Sequence, residues 1–412
     1  MAEPARWRAL LSMVLETGWR PTVPVTRLSV EPSVLRWARE TAGLDIDTAA
    51  TRIGVKPDKV TQWESGSLAP TIKQIRRMAD VYARPLAALL MSEPPAEDLK
   101  RDLPDFRRPE VQSHVVSRAL QKATMRAYRQ RDALRDVATD LELPESEATA
   151  MYALDRALAP SVLGDQLRTA LRLDLIPKPV LLQPEVLLRE LVRQAERLNV
   201  TVIQVQRVDV AEMRGFSLGD GSCPIVALNG ADWPRGKVYT LLHELAHVGF
   251  RSDGLCDLRH EQDAWLERTC DAVAAAALMP TQAFVAALGN AGPDRLTAEL
   301  ARAIGNEFGA SGESALLRMV ELGRATWDDY WRLKPEFDSA YTAHKAAEKE
   351  RNAGQDSPIF YQVKRRDLGR RFICQMVTAY EEDALSSRDL AQLLEVSYDK
   401  IPKLLGLTEE TA

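Results

Sequence analysis

Residues 241–250 read LLHELAHVGF. His243 and His247 stand four apart, and on a helix that spacing brings both imidazoles to one face, where they can grip one metal ion. Glu244 lies beside them, within reach of a water held by such an ion. Tyr239, Leu241, Leu242, Leu245, Ala246 and Val248 make the host helix apolar enough to run through a domain core. The chain has five histidines, at 114, 243, 247, 260 and 344, and spends two of them here, which makes chance spacing a poor explanation.

A catalytic ion of this kind needs a third protein ligand and an open position for water. Downstream only His260 is near, so a carboxylate is expected. Residues 265–280, WLERTCDAVAAAALMP, offer Glu267 and Asp271 one turn apart on an alanine-rich helix whose small side chains allow close packing. Glu267 is the expected third ligand and Asp271 the partner of a histidine N–H. Without the histidine helix nearby, the same acids would read as a solvated face beside Arg268. Two imidazoles and a carboxylate suit Zn2+, and Mn2+ or another divalent ion also fits.

Upstream, VTVIQVQRVDV (200–210) alternates and is β-branched, which predicts a strand. MRGFSLGDGSCPIVALNG (213–230) predicts a hairpin, two apolar runs around Gly219-Asp220-Gly221. Helical patterning covers 111–175, broken by Pro144 and Pro160, and again about 235–285. The tail beyond Trp327 is helical except at AGQDSP (353–358).

At the other end, Trp37, Ala38, Ala42, Ala49, Ala50, Ile53, Val60, Trp63, Ile72, Ile75, Met78 and Tyr82 recur at helical spacing. Ala50 to Gly66 has the organisation of a helix-turn-helix: Ala50 permits a tight crossing, Gly54 supplies the turn and Pro57 starts the second helix. Val55, Val60 and Trp63 face inward, which leaves Lys56, Lys59, Thr61 and Gln62 as candidates to meet a major groove. Basic residues outnumber acidic ones by only three in 33–91. A bundle that keeps the fold but binds protein is therefore the alternative reading. SEPPAEDLKRDLPDFRRPE (92–110) is polar and proline-rich, a linker.

Thr240-Leu-Leu-His-Glu-Leu-Ala-His, followed by Glu267-x-x-Cys-Asp-x-x-Ala-Ala-x-x-Leu-Met-Pro280, resembles the ImmA/IrrE family of metallopeptidases, with GFSLGDGSCPIVALN matching the strands before that family's active-site helix. LPDFRR (103–108) resembles the short motif between its helix-turn-helix and peptidase parts. The likeness covers roughly 30–290. Cys270 stands where alanine is commoner and Val273 replaces the usual aromatic, both packing changes that remove no ligand. The pattern through Trp63-Glu-x-Gly and Pro70-Thr71 is similar to the five-helix Xre/Cro repressor class. The resemblance implies a gluzincin-type zinc endopeptidase in which Glu244 is the general base, with limited proteolysis of a repressor-like protein. Tyr239 is the nearest candidate for stabilising an oxyanion.

The resulting fold class is mainly α with a small β-sheet: a five-helix DNA-binding domain (30–92), a linker (93–110), a zincin-like α+β metallopeptidase domain (111–325) and a helical C-terminal unit (326–412). At 412 residues, 45% hydrophobic and 27% charged, the composition is that of an ordinary globular protein, and a net charge of −5 excludes a wholesale nucleic-acid coat. The four cysteines (223, 256, 270 and 374) have no CxxC spacing, and read as free thiols in a reducing cytoplasm. No apolar run is long enough for a membrane span, and the first residues carry no secretory signal. The expected partners are DNA, a repressor-like or toxin-like protein and a second copy of the chain.

Two alternatives to an active peptidase follow. One is a transcriptional regulator that keeps the metal fold as a scaffold or sensor; the other is half of a toxin–antitoxin pair. In the tail, ALSSRDLAQLLEVSYDKIPKLLGL (384–407) echoes the first helix-turn-helix, with Ala391 on Ala50, Val396 on Val55 and Ile401 on Val60. Glu395 replaces the turn glycine and Pro402 falls inside the would-be second helix, so a packing or partner-binding hairpin is expected instead. The basic run Lys364–Arg371 reads as a solvated face, with an acidic partner or nucleic acid as the alternative.

Overall fold

The computed structural model describes residues 27–94, 117–142, 153–254, 264–289, 296–352 and 360–406, apart from positions 43, 83, 85, 220 and 252. The linker from 95 onward, LPDFRR, His114, Cys256 and His260 lie outside them. The chain divides into two compact units, Met1–Arg101 and Asp102–Ala412. Among the described residues no single helix is long and apolar enough to cross a membrane.

In the first unit, α1 (Pro32–Thr41), α2 (Ile46–Ile53), α3 (Pro57–Glu64) and α4 (Ile72–Val81) precede a single 3-10 stretch at Leu86–Leu90. That stretch stands where the fifth helix was expected, and five residues suit the tighter form. Asp45 starts α2 by accepting from the Thr48 amide (2.6 Å). Gly54 ends it at φ +83°, a conformation glycine adopts without strain. Pro57 opens α3 where an amide would lack a partner anyway. Thr71 and Gln74 cap α4 reciprocally. Leu35, Ala38, Ala49, Ala50, Val60, Trp63, Ile75 and Met78 form the core. Arg39 and Glu64 are buried and paired bidentately, with Nε–Oε1 at 2.7 Å and Nη2–Oε2 at 2.9 Å. This pair ties α1 to the end of α3.

The second unit opens with α5 (Arg118–Asp140), α6 (Pro160–Ala170), α7 (Lys178–Leu181) and α8 (Pro184–Arg197). Strands β1 (Thr201–Val205), β2 (Gly215–Leu218) and β3 (Ile225–Asn229) lead to α9 (Pro234–Gly249) and a two-residue β4 (Asp253–Gly254). After these come α10 (Ala264–Leu278), α11 (Thr281–Leu288), α12 (Ala298–Glu307), α13 (Gly312–Glu321), α14 (Trp327–Asn352), α15 (Phe360–Leu368), α16 (Arg370–Glu381), α17 (Ser387–Leu393) and α18 (Ile401–Leu405). The sheet order is β1-β3-β2-β4. β2 and β3 form the antiparallel hairpin, Gly215 opposite Leu228, while β1 runs parallel to β3, Thr201 opposite Ile225. The region expected to be helical over 235–285 is interrupted by β4 and divided among α9, α10 and α11.

Alternation along the strands sends side chains to two cores. Val202, Val226 and Leu228 pack with Leu163, Leu191, Leu241, Leu245 and Ala274, the side that holds α6, α8, α9 and α10. Ile203, Val205, Phe216, Leu218 and Ala227 pack with α5 through Leu120, Ala127 and Leu134, and with Phe372, Met376, Leu390 and Leu404. Helices α15–α18 therefore cover the second face of the sheet. An apolar sheet face must be covered, and the helices from the expected C-terminal unit (326–412) pack on it.

The echo of the helix-turn-helix is visible in the backbone. The Val396 amide bonds to Ala391 O (3.1 Å) as Val55 does to Ala50 O (2.9 Å), and Glu395 takes the left-handed turn (φ +52°) held by Gly54 in the first copy. Pro402 does not interrupt a helix: it sits in the first turn of α18, after a 3-10 turn at Tyr398–Lys400. At five residues α18 is too short to read a groove, and Ile401 and Leu404 bury into the core.

Candidate metal centre

Helix α9 starts at Pro234 and is buried on nearly every side, with Val238, Leu241, Leu242, Leu245, Ala246 and Val248 fully enclosed. Such a helix offers a polar side chain no water except through a deliberate opening. His243, Glu244 and His247 are all buried. Helix α10 lies across α9 and presents Glu267 from its first turn and Asp271 one turn on.

The structure brings four of the five metal-site candidates into direct contact. His243 Nε2 and His247 Nε2 are 3.2 Å apart, Glu267 Oε2 is 3.4 Å from the first, and Glu267 Oε1 is 3.3 Å from the second. On the far side of the ring, His243 Nδ1 lies 2.9 Å from Asp271 Oδ1. A tetrahedral ion with N and O ligands at about 2.0–2.1 Å has ligand–ligand edges of roughly 3.3–3.4 Å. The triangle of two imidazole nitrogens and one carboxylate thus has the size such an ion needs, and the donor set fits a borderline divalent metal.

Burial alone would lower the His243 pKa, but the carboxylates of Asp271 and Glu267, with Glu244 behind them, push it up to about 10. Burial likewise works against the Glu267 carboxylate, and the two imidazoles overcome it, holding its pKa far below the usual carboxylate range. Cys270, fully buried beside this cluster, has its thiol pushed up by burial and by the charges of Glu267 and Glu244.

Glu244 faces the sheet. A Cβ at Gly215 of β2 would lie 2.4 Å from Thr240 Cγ2 and 3.2 Å from Glu244 Oε1. Only glycine lets the strand approach α9 this closely, and the strand then walls in the carboxylate. Tyr239, the oxyanion candidate, donates its hydroxyl to the Asp271 carbonyl (3.0 Å), bracing the residue that contacts His243. One contributor was not legible as a site residue: Gly215 looks like an ordinary strand glycine.

In the first unit, Lys56, Lys59, Thr61 and Gln62 are all exposed on or beside α3, while Val60 and Trp63 turn inward.

Fold and site together define a helix-turn-helix module joined to a metallopeptidase-like domain with an H-E-x-x-H helix and a downstream glutamate. Residues 33–90 match the family model of a helix-turn-helix domain, and residues 195–320 match the peptidase-family model of the IrrE N-terminal-like domain, the architecture of a helix-turn-helix plus ImmA/IrrE pair. The second match spans β1 to α13 and so contains the whole ligand cluster. No curated protein matches the chain.

Proposed function

We propose that the chain is a zinc-dependent endopeptidase that cleaves a repressor-like regulatory protein and carries its own DNA-reading domain. The observation that carries this reading is the triangle of His243, His247 and Glu267, with Glu244 buried next to it on the same helix. A scaffold would need the three ligands but not the neighbouring carboxylate.

His243, His247 and Glu267 would hold the ion. Asp271 accepts from His243 Nδ1–H, which leaves the Nε2 lone pair for the metal and fixes the ring. When bound, such an ion would supply Lewis acidity. Glu244 would act as the general base, taking the proton of the attacking water and passing it to the departing amine. The strand containing Gly215 keeps Glu244 from swinging away. The exposed residues of α3, Lys56, Lys59, Thr61 and Gln62, would contact DNA, Lys56 and Lys59 at phosphates and Thr61 and Gln62 at base edges. The setting proposed is the cytoplasm, with a protein partner of repressor or toxin type, association into homodimers, and activity held latent until a signal.

Comparing protein N-termini by mass spectrometry in cells expressing wild type or Glu244→Gln tests this. New termini confined to wild type support the peptidase. Identical termini, with an unchanged regulatory phenotype, would establish the second reading, a DNA-binding regulator built on the same fold. The intact exposed face of α3 is the feature that favours that alternative.

A further inference from the structure

The second unit carries a basic face that the proposed chemistry does not use. Helix α8 turns Leu187, Leu188, Leu191 and Ala195 to the core and leaves Arg189, Arg193 and Arg197 exposed, about one turn apart. At about 1.5 Å of rise per residue the three span roughly 12 Å of helix. Like charges at this spacing weaken a helix. Arg197, in the last turn, complements the helix dipole, but Arg189 and Arg193 gain nothing from it.

Two other segments extend the row. Arg197 Nη2 donates to the Ala170 carbonyl at the end of α6 (2.6 Å), which places it beside the exposed Arg172 two residues on. Burial, and after it the like charge of Arg172, lowers the Arg197 pKa. At the same end of α8, Glu196 Oε1 accepts from the Arg371 amide (3.1 Å), which sets the exposed Arg370, first residue of α16, next to the row. A positive charge at a helix N-terminus opposes the dipole, so Arg370 does not serve its own helix.

Few acids answer these charges. Glu190 pairs with Arg193, and Glu196 is engaged by the Arg371 amide. The guanidinium groups of Arg172, Arg189 and Arg370 have no hydrogen bond or ion pair among the described residues. The whole chain carries −5, and in 33–91 basic residues exceed acidic ones by only three. That is a small charge for holding a duplex, whose affinity comes largely from phosphate contacts. We propose that Arg189, Arg193 and Arg197 of α8, with Arg172 and Arg370, form a second DNA-contacting face that holds the phosphate backbone without reading sequence. Guanidinium forks match phosphate oxygens, and a row of them with few acids fits a polyanion. DNA is favoured over an acidic protein because the chain already carries a helix-turn-helix domain. The proposal rests on that domain contacting DNA and not on the metal centre being catalytic.

The test uses the purified full-length chain and a fluorescent duplex of mixed sequence, followed by anisotropy from about 50 to about 200 mM salt. Arg172→Gln/Arg189→Gln/Arg370→Gln should melt like wild type, because none of the three side chains is bonded. It should reduce the slope of log affinity against log salt by about 2–3 and weaken low-salt binding at least tenfold. Lys56→Ala/Lys59→Ala should reduce the slope separately. The Arg→Lys triple variant at the same positions keeps the charge and should keep most of the slope; a slope lost there too would overturn the charge argument. If only the lysine-to-alanine variant loses binding, the arginine face does not touch DNA, and the proposal fails while the helix-turn-helix reading stands. If only the arginine-to-glutamine variant loses binding, the face holds the duplex and the helix-turn-helix reading fails instead. A wild-type chain that binds no duplex at low salt overturns both. Poly-glutamate bound as tightly as the duplex, and released by the glutamine variant, would overturn the choice of DNA and mark the face as a surface for an acidic protein.

Discussion

Asp271 Oδ1 sits 2.9 Å from His243 Nδ1, on the ring nitrogen opposite the one that approaches His247 and Glu267. In the proposed site this carboxylate would not compete for the ion; it would orient the ring that holds it. Asp271→Ala should weaken metal affinity by 10- to 100-fold, the usual effect of removing such a partner, and Asp271→Asn should weaken it less. Competition against a chromophoric chelator measures this, and an unchanged affinity in Asp271→Ala would contradict the assigned role.

Metal uptake should depend steeply on pH. The Asp271 and Glu267 carboxylates overcome burial and push the His243 pKa from 6.5 up to about 10, so an ion binding there would have to displace a proton. Apparent affinity should rise about tenfold per pH unit between 6.5 and 10, then level off. The sign for stability is the reverse. A raised folded-state pKa gives the metal-free fold a contribution that is complete below pH 6.5 and lost as pH climbs through about 10. Melting of the metal-free chain should thus fall in that window while metal affinity rises. A flat affinity profile would show that His243 is not a ligand.

Gly215→Ala places a methyl group 2.4 Å from Thr240 Cγ2 and 3.2 Å from Glu244 Oε1. Overpacking of this kind costs about 1–3 kcal/mol. The expected result is a lower melting temperature and a marked loss of proteolysis with metal content retained, since His243, His247 and Glu267 are not touched. Loss of metal together with activity would place the strand's influence on the ligands and not on Glu244.

In the helix-turn-helix unit, stability and recognition should separate. Removing one member of the buried Arg39–Glu64 pair, as in Arg39→Met, strands the other charge and should cost about 3–5 kcal/mol. Lys59→Ala should leave melting unchanged, weaken DNA binding uniformly across sequences and reduce the salt slope by about one. Gln62→Ala should instead relax sequence preference. Circular dichroism and salt-dependent binding titrations would show whether the two classes behave differently.

The metal helix, the hairpin and the helix-turn-helix were all legible because each is specified locally: a four-residue histidine spacing, two short runs around a turn, an alanine–glycine–proline sequence at a helix junction. What the sequence hid was long-range. The periodicity of α15–α18 shows that Phe372, Met376 and Leu404 face something apolar but not that it is the sheet of the domain before them. The Arg39–Glu64 pair spans 25 residues, so no local pattern announces it. Pro402 was read from its alignment with α3, yet a helix that begins one residue earlier accepts it. Asp271 could be proposed by its spacing from Glu267, whereas Gly215 has no spacing rule and is meaningful only beside Thr240 and Glu244.

The most direct measurement is metal content of the purified chain by elemental mass spectrometry, with His243→Ala alongside. The account predicts about one zinc per wild-type chain and none retained by the variant. A wild-type chain that holds no divalent metal after zinc is supplied would contradict it, and the helix-turn-helix would then carry the function.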